Sequence, residues 1–116
     1  MSKITRVNVG KRLSDMAVHN GVAYLAGQVA DDTTQDITGQ TTQILAVIDK
    51  LLATAGSDKT KILMAQIFVA NMKEFDGMNK AWDAWVADGH APSRATIEAR
   101  LASADYKVEI VVTAAI

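Results

Sequence analysis

Met16-Ala-Val-His-Asn-Gly-Val-Ala-Tyr-Leu25 sets two short apolar arms around an Asn20-Gly21 pair. Asn and Gly tolerate the positive φ angles of a type I′ turn, whose twist matches that of two antiparallel strands. The stretch therefore predicts a tight hairpin, Met16 to His19 against Val22 to Leu25, with His19 on its shoulder. Upstream, Ile4, Arg6 and Asn8 alternate with Thr5, Val7 and Val9 before Gly10, a period of two that predicts an opening strand. Downstream the second arm runs on into Ala26-Gly27-Gln28, where a glycine lets another group approach the backbone.

After a polar loop over residues 30–36 the period changes. Ile37, Ile44, Leu45, Ile48, Leu51, Leu52 and Ala55 recur at three-to-four spacing, which predicts a helix capped by Asp36 or Thr38 and closed at Gly56. Ile62 to Ala70 is apolar except for Gln66, too short for a domain helix and suited to a strand covered on both faces. Asn71 and Glu74 have the spacing of a capping box ahead of a second helix that carries Phe75, Met78, Trp82, Trp85 and Val86. Beyond Gly89, His90 and Pro92, two alternating runs, Ser93 to Leu101 and Tyr106 to Ala115, predict a closing hairpin. The expectation is an α+β fold over residues 1–116 as a single domain: one mixed six-stranded sheet with both helices on one face.

The whole composition narrows the function. A chain of 116 residues holds one core of ordinary size, and 49% hydrophobic with 22% charged residues is the balance of a folded protein. Twelve Lys and Arg against 13 Asp and Glu give no field to attract nucleic acid or an anionic membrane. The lack of cysteine excludes disulfides, thiolate catalysis and sulfur-bound zinc. The start, Met-Ser-Lys-Ile-Thr-Arg-Val, carries no leader-like apolar stretch, and no run of about 18 apolar residues exists. A cytoplasmic protein without a membrane partner is expected.

One face of such a sheet stays open. Val108, Ile110 and Val112 fall on one side of the last strand and Glu109, Val111 and Thr113 on the other, so aliphatic residues occur on both. Self-association around a symmetry axis would cover the open side.

The usual catalytic constellations are missing. His19 and His90 stand alone, without metal-ligand spacing, and neither a Gly-rich phosphate loop nor a GxSxG elbow occurs. Pro92-Ser93-Arg94-Ala95-Thr96-Ile97-Glu98-Ala99-Arg100-Leu101 is chemically more unusual. In an extended chain Arg94, Thr96, Glu98 and Arg100 share a face, and a guanidinium there offers a planar fork to a carboxylate. A surface ladder of Arg94, Glu98 and Arg100 is the plainer alternative. Glu109 is a lone carboxylate among Val108, Ile110, Val111 and Val112. Burial there would raise its proton affinity and fit it to activate a water, while pairing with Lys107 or an arginine is the structural alternative. Asn79 shares a helical face with Phe75 and Trp82, and a hydrogen bond to a loop is its expected role.

These residues resemble the RidA/YjgF family, also called the endoribonuclease L-PSP family. The similarity runs from about Val9 to the C-terminus and is carried by Val22-Ala-Tyr-Leu-Ala-Gly-Gln-Val29, by the helix near Gln40-Thr41, by Pro92-Ser-Arg-Ala-Thr-Ile-Glu98 and by Val108-Glu109-Ile110. The resemblance implies a chorismate-mutase-like fold and a homotrimer with clefts between subunits. It implies that Arg94 grips a small carboxylate substrate, that Glu109 positions a water, that backbone groups near Gly27 and Thr96 contact the ligand, and that Asn79 supports the site. The implied reaction is hydrolytic deamination of reactive 2-imino and 2-enamino acids to 2-keto acids and ammonia, with neither metal nor organic cofactor. Many deaminating members carry tyrosine, serine and cysteine where this chain has Leu13, Ala26 and Thr96. Leu13 would make the mouth of the cleft more apolar and favour bulkier imines. Two other functions fit the same residues: a non-catalytic trimer that binds small carboxylates in a regulatory or chaperone-like role, and a ribonuclease. The absence of a basic stripe, of a paired histidine site and of an aromatic platform argues against the last.

Overall fold

The computed structural model describes residues 3–116, so Met1 and Ser2, on which the expectation about the start of the chain partly rests, lie outside the described residues. The elements are β1 (Thr5–Val9), β2 (Ser14–His19), β3 (Val22–Leu25), α1 (Ile37–Thr54), β4 (Ile62–Val69), α2 (Phe75–Trp85), β5 (Ser93–Glu98) and β6 (Val108–Ala115). Short 3-10 turns at Lys59–Lys61 and Met72–Glu74 precede β4 and α2. The six strands form one mixed sheet in the order β1-β2-β3-β6-β4-β5.

The β2–β3 hairpin forms as its turn dipeptide requires: Asn20 has φ 50° and Gly21 φ 77°, and His19 pairs with Val22. Helix α1 starts at Asp36, whose carboxylate accepts the Gly39 N–H at 2.9 Å, rather than at Thr38. It ends in a Schellman arrangement around Gly56 at φ 76°. Gly56 N–H donates to the Ala53 carbonyl at 3.0 Å and Ser57 N–H to the Leu52 carbonyl at 2.8 Å.

Three expectations are corrected. The last two strands are not a hairpin: β5 pairs parallel with β4 through the α2 crossover, and β6 inserts between β3 and β4. The eight-residue, aliphatic β6 suits the centre, while β5, with Ser93, Arg94 and Glu98, suits an edge. The residues between them, 99–107, are long enough to carry the chain past β4. Nor is β4 covered on both sides. Ala65, Ile67 and Val69 are buried under the helices, whereas Met64 and Gln66 are exposed and Phe68 half-buried on the other face. The expected capping box is also absent as such. The Asn71 side chain accepts the Lys73 N–H at 3.0 Å and caps the 3-10 turn, and Glu74 at the start of α2 makes no side-chain cap.

Both helices pack on one face. Ile44, Leu45, Ile48 and Leu52 of α1 and Met78 and Trp82 of α2 form the core with Met16, Ile67, Val108, Ile110 and Val112. Gln40 sits in the apolar stripe of α1 yet is fully buried. Its amide donates to the carbonyls of Thr33, Gln35 and Asp105 and accepts the Lys107 N–H at 3.0 Å, tying α1 to the entry of β6. Among the described residues no helix is long and apolar enough to cross a membrane.

Candidate functional site

Helix α2 is fixed before it positions anything. Thr38 Oγ1 donates to the Gly77 carbonyl at 2.7 Å, Trp85 Nε1 donates to Asp49 at 3.0 Å, and Lys59 Nζ reaches the Trp85 carbonyl at 2.6 Å. Phe75, Asn79 and Trp82, spaced at i, i+4 and i+7, then face the edge strand β5. Arg94 lies against all three. Its Nη1 donates to Asn79 Oδ1 at 2.7 Å, and its guanidinium carbon sits 5.3 Å from the Trp82 ring centre and 6.0 Å from that of Phe75. Asn79 thus bonds a strand arginine rather than a loop. The Arg94, Glu98 and Arg100 ladder does not form as read: β5 ends at Glu98, and Glu98 Oε2 accepts the Met72 N–H at 2.8 Å.

The main chain adds donors here. Ala99 N–H donates to the Val69 carbonyl at 3.0 Å, and successive residues of a strand point to alternate sides, so the peptide groups of Arg94, Thr96 and Glu98 face the free edge. Thr96 Oγ1 is buried, and no group among the described residues hydrogen-bonds it. Met72, Phe75, Arg94 and Thr96 line a recess of about 490 Å³ at this edge.

Gly27 and Glu109 form a second group. Gln28 and Ile110 exchange main-chain hydrogen bonds of 2.9 and 3.1 Å, which brings β6 alongside Gly27. The Glu109 carboxyl lies directly over that glycine: a Cβ there would stand 2.9 Å from Glu109 Cδ and closer still to the oxygen. Glu109 is half-buried on the open face, not enclosed among the aliphatic residues of the core.

Cross-strand pairing decides the relation between the two groups. Arg94 pairs with Ala65 and Ala65 with Val112, both buried under the helices, so Arg94 is on the helix side. Glu109 pairs with Phe68 and Phe68 with Ile97, the opposite parity, so Glu109 is on the open side. Within one chain Arg94, Thr96 and Asn79 come together, Gly27 and Glu109 come together, and the two groups do not meet. Leu13 meets neither. It is 61% exposed in the β1–β2 turn, at the far end of the sheet from β5.

Sequence reading took Phe75 and Trp82 as core alone and missed their part in holding the guanidinium, which depends on a strand that packs beside them only in the fold. It also passed over Met72. Gln40 carried a usable signal, a polar residue inside an apolar stripe. Among the described residues no group of three His, Asp or Glu side chains is placed to hold a metal ion.

A six-stranded mixed sheet with two helices on one face and an arginine clamped at its edge defines a class. The chain belongs to the RidA/YjgF family: the family model described as endoribonuclease L-PSP matches residues 4–116. A RutC family protein of Haemophilus ducreyi is 55% identical, over 97% of each chain. The RutC family protein YoaB of Escherichia coli is 46% identical over 97% of this chain and 98% of its own. The crystal structure of a YjgF family member from Neisseria meningitidis superposes with a TM-score of 0.95 at 41% identity, covering 97% of this chain and 94% of that one.

Proposed function

We propose that this protein hydrolyses reactive 2-imino and 2-enamino acids to 2-keto acids and ammonia, in clefts that neighbouring copies of a homotrimer build together. The observation that carries the reading is Arg94, held by Asn79, Phe75 and Trp82 beside outward-facing peptide groups at a free sheet edge. A guanidinium fixed in this way presents its remaining N–H groups to a carboxylate without losing further side-chain entropy. Gly27 and Glu109 of a second copy would complete the cleft, since one chain holds them on the opposite face.

The chemistry needs little more. An enamine tautomerises to an imine, water adds to C2, and the carbinolamine expels ammonia. Arg94 holds the carboxylate, Thr96 main-chain groups orient it, and Glu109 directs the water and moves its proton. Residues fit this reaction without a metal or organic cofactor.

The test is ammonia and keto-acid release from imines generated in place by an amino-acid oxidase. Wild type accelerates release, and Arg94→Ala lowers kcat/KM by about 100-fold with unchanged circular dichroism. The departures from the family pattern at Leu13, Ala26 and Thr96 favour a second reading, a trimer that binds small carboxylates through the same Arg94 without turnover. Saturable 2-ketobutyrate binding with no acceleration by wild type would establish it. Cleavage of RNA that survives moderate salt and is lost in Arg94→Ala would instead support the ribonuclease named in the family description.

A further inference from the structure

We infer that a second recess, between the end of β5 and the start of β6, binds a free α-amino acid with a small aliphatic side chain. It is lined by other residues than the Arg94 recess, and the inference does not depend on imine hydrolysis.

The loop that builds this recess is pinned at both ends. At one end Ala99 N–H donates to the Val69 carbonyl at 3.0 Å and carries the sheet ladder one residue past β5. At the other, the buried Gln40 amide donates to the Asp105 carbonyl at 3.2 Å and accepts the Lys107 N–H at 3.0 Å. Between them Asp105 N–H donates to Ser103 Oγ and Tyr106 N–H to the Ser103 carbonyl, both at 3.2 Å. Together with Ala70, residues 98–104 and 106 line a recess of about 600 Å³. A loop held in this way has little ordering left to lose when a ligand enters.

Three features of the lining define the ligand. The first is a fixed anion. Glu98 Oε2 accepts the Met72 N–H at 2.8 Å, which holds the carboxylate in place and leaves its second oxygen to accept from an ammonium group. The second is a set of spare donors. Arg100 is exposed, and its guanidinium has no hydrogen-bond partner among the described residues. The main-chain N–H groups of Arg100 to Ala104 donate to none of the described residues either. The third is an apolar wall of alanines with Leu101 and Tyr106.

Two residues of extended chain set the Cα atoms of Glu98 and Arg100 about 7 Å apart, within reach of the two charges on one α-carbon. Glu98 repels a lone anion and Arg100 a lone amine, whereas a zwitterion satisfies both. With its ammonium at Glu98 and its carboxylate at Arg100, an amino acid lays a neutral side chain against the apolar wall. Both charged residues are exposed, so binding is weak and declines with salt.

The test is calorimetric titration of the full chain with L-valine, and with isobutylamine and isovalerate, which each keep one of its two charges. Wild type, Glu98→Gln, Arg100→Ala and Arg94→Ala are compared, with unchanged melting temperatures verifying the fold. Glutamine at 98 keeps an acceptor for the Met72 N–H. Wild type and Arg94→Ala are expected to bind L-valine alike, with amide shifts centred on residues 98–106. Glu98→Gln and Arg100→Ala should each weaken binding at least about fivefold, and the half-ligands should bind more weakly than L-valine by a similar factor. Binding lost in Arg94→Ala and kept in the other two variants would place the amino acid in the Arg94 recess and overturn the inference. So would no L-valine binding by wild type up to about 20 mM, where only affinities too weak for a site go undetected. A half-ligand that binds as tightly as L-valine would overturn recognition by paired charges.

Discussion

Gly27 and Glu109 make the sharpest single-residue case. The atoms that a Cβ at Gly27 would meet are the end of a flexible side chain, so the carboxyl can turn away at little cost to the fold. Gly27→Ala is therefore expected to melt within a few degrees of wild type and, under the proposed mechanism, to lose most of the imine hydrolysis, because the displaced carboxylate would no longer direct water. A fully active Gly27→Ala would remove Glu109 from the mechanism. Arg94 presents the complementary case. Lysine in its place keeps the charge and loses both the planar fork and the contacts of a flat guanidinium with Phe75 and Trp82, so Arg94→Lys should recover only a minor part of the activity lost in Arg94→Ala.

At the scale of elements, the site depends on how α2 and β5 are seated, and the seating of β6 depends on Gln40. That amide answers three carbonyls and one N–H within the core. Gln40→Leu fills the same volume and leaves those groups without a partner. The expected cost is roughly 2–4 kcal/mol, read as a lower urea midpoint at unchanged slope. Loss of less than about 0.5 kcal/mol would show that water satisfies the freed groups. The same scale explains the misread closing hairpin. Alternation shows that residues 93–101 and 106–115 are extended and says nothing about partners. Strand pairing was settled by the α2 crossover, which carries β5 parallel to β4, and by the doubly aliphatic β6, which takes the centre of the sheet.

For the whole molecule, the opposite faces of Arg94 and Glu109 make a quantitative prediction about assembly. If each cleft takes Arg94 from one copy and Glu109 from the next, Arg94→Ala and Glu109→Ala are each inactive alone. Co-refolded in equal amounts, random trimers recover about a quarter of the wild-type rate, since three in four are mixed and each mixed trimer keeps one intact cleft of three. No recovery, with mixed trimers verified by mass, would mean that both residues act from the same chain. The open face that such a trimer would cover holds Met64, Phe68, Ile97 and Val111, and Tyr24 is 50% exposed on it.

The sequence by itself determined the elements and the chemistry on offer. Period two and period 3.6, the Asn20-Gly21 turn, a helix cap at Asp36 or Thr38 and the Gly56 stop are local signals, and a local signal is complete within a few residues of chain. The motif around Arg94 and the lone Glu109 were legible for the same reason, as residue types in a pattern. Only the tertiary structure decided which strands became neighbours, that Asn79, Phe75 and Trp82 hold Arg94, that Glu98 turns back onto Met72, and that Arg94 and Glu109 face opposite sides. The physical reason is register. A side chain's face follows from parity along a strand, but the side that the helices cover, and the strand that lies next to it, follow from packing across the whole chain.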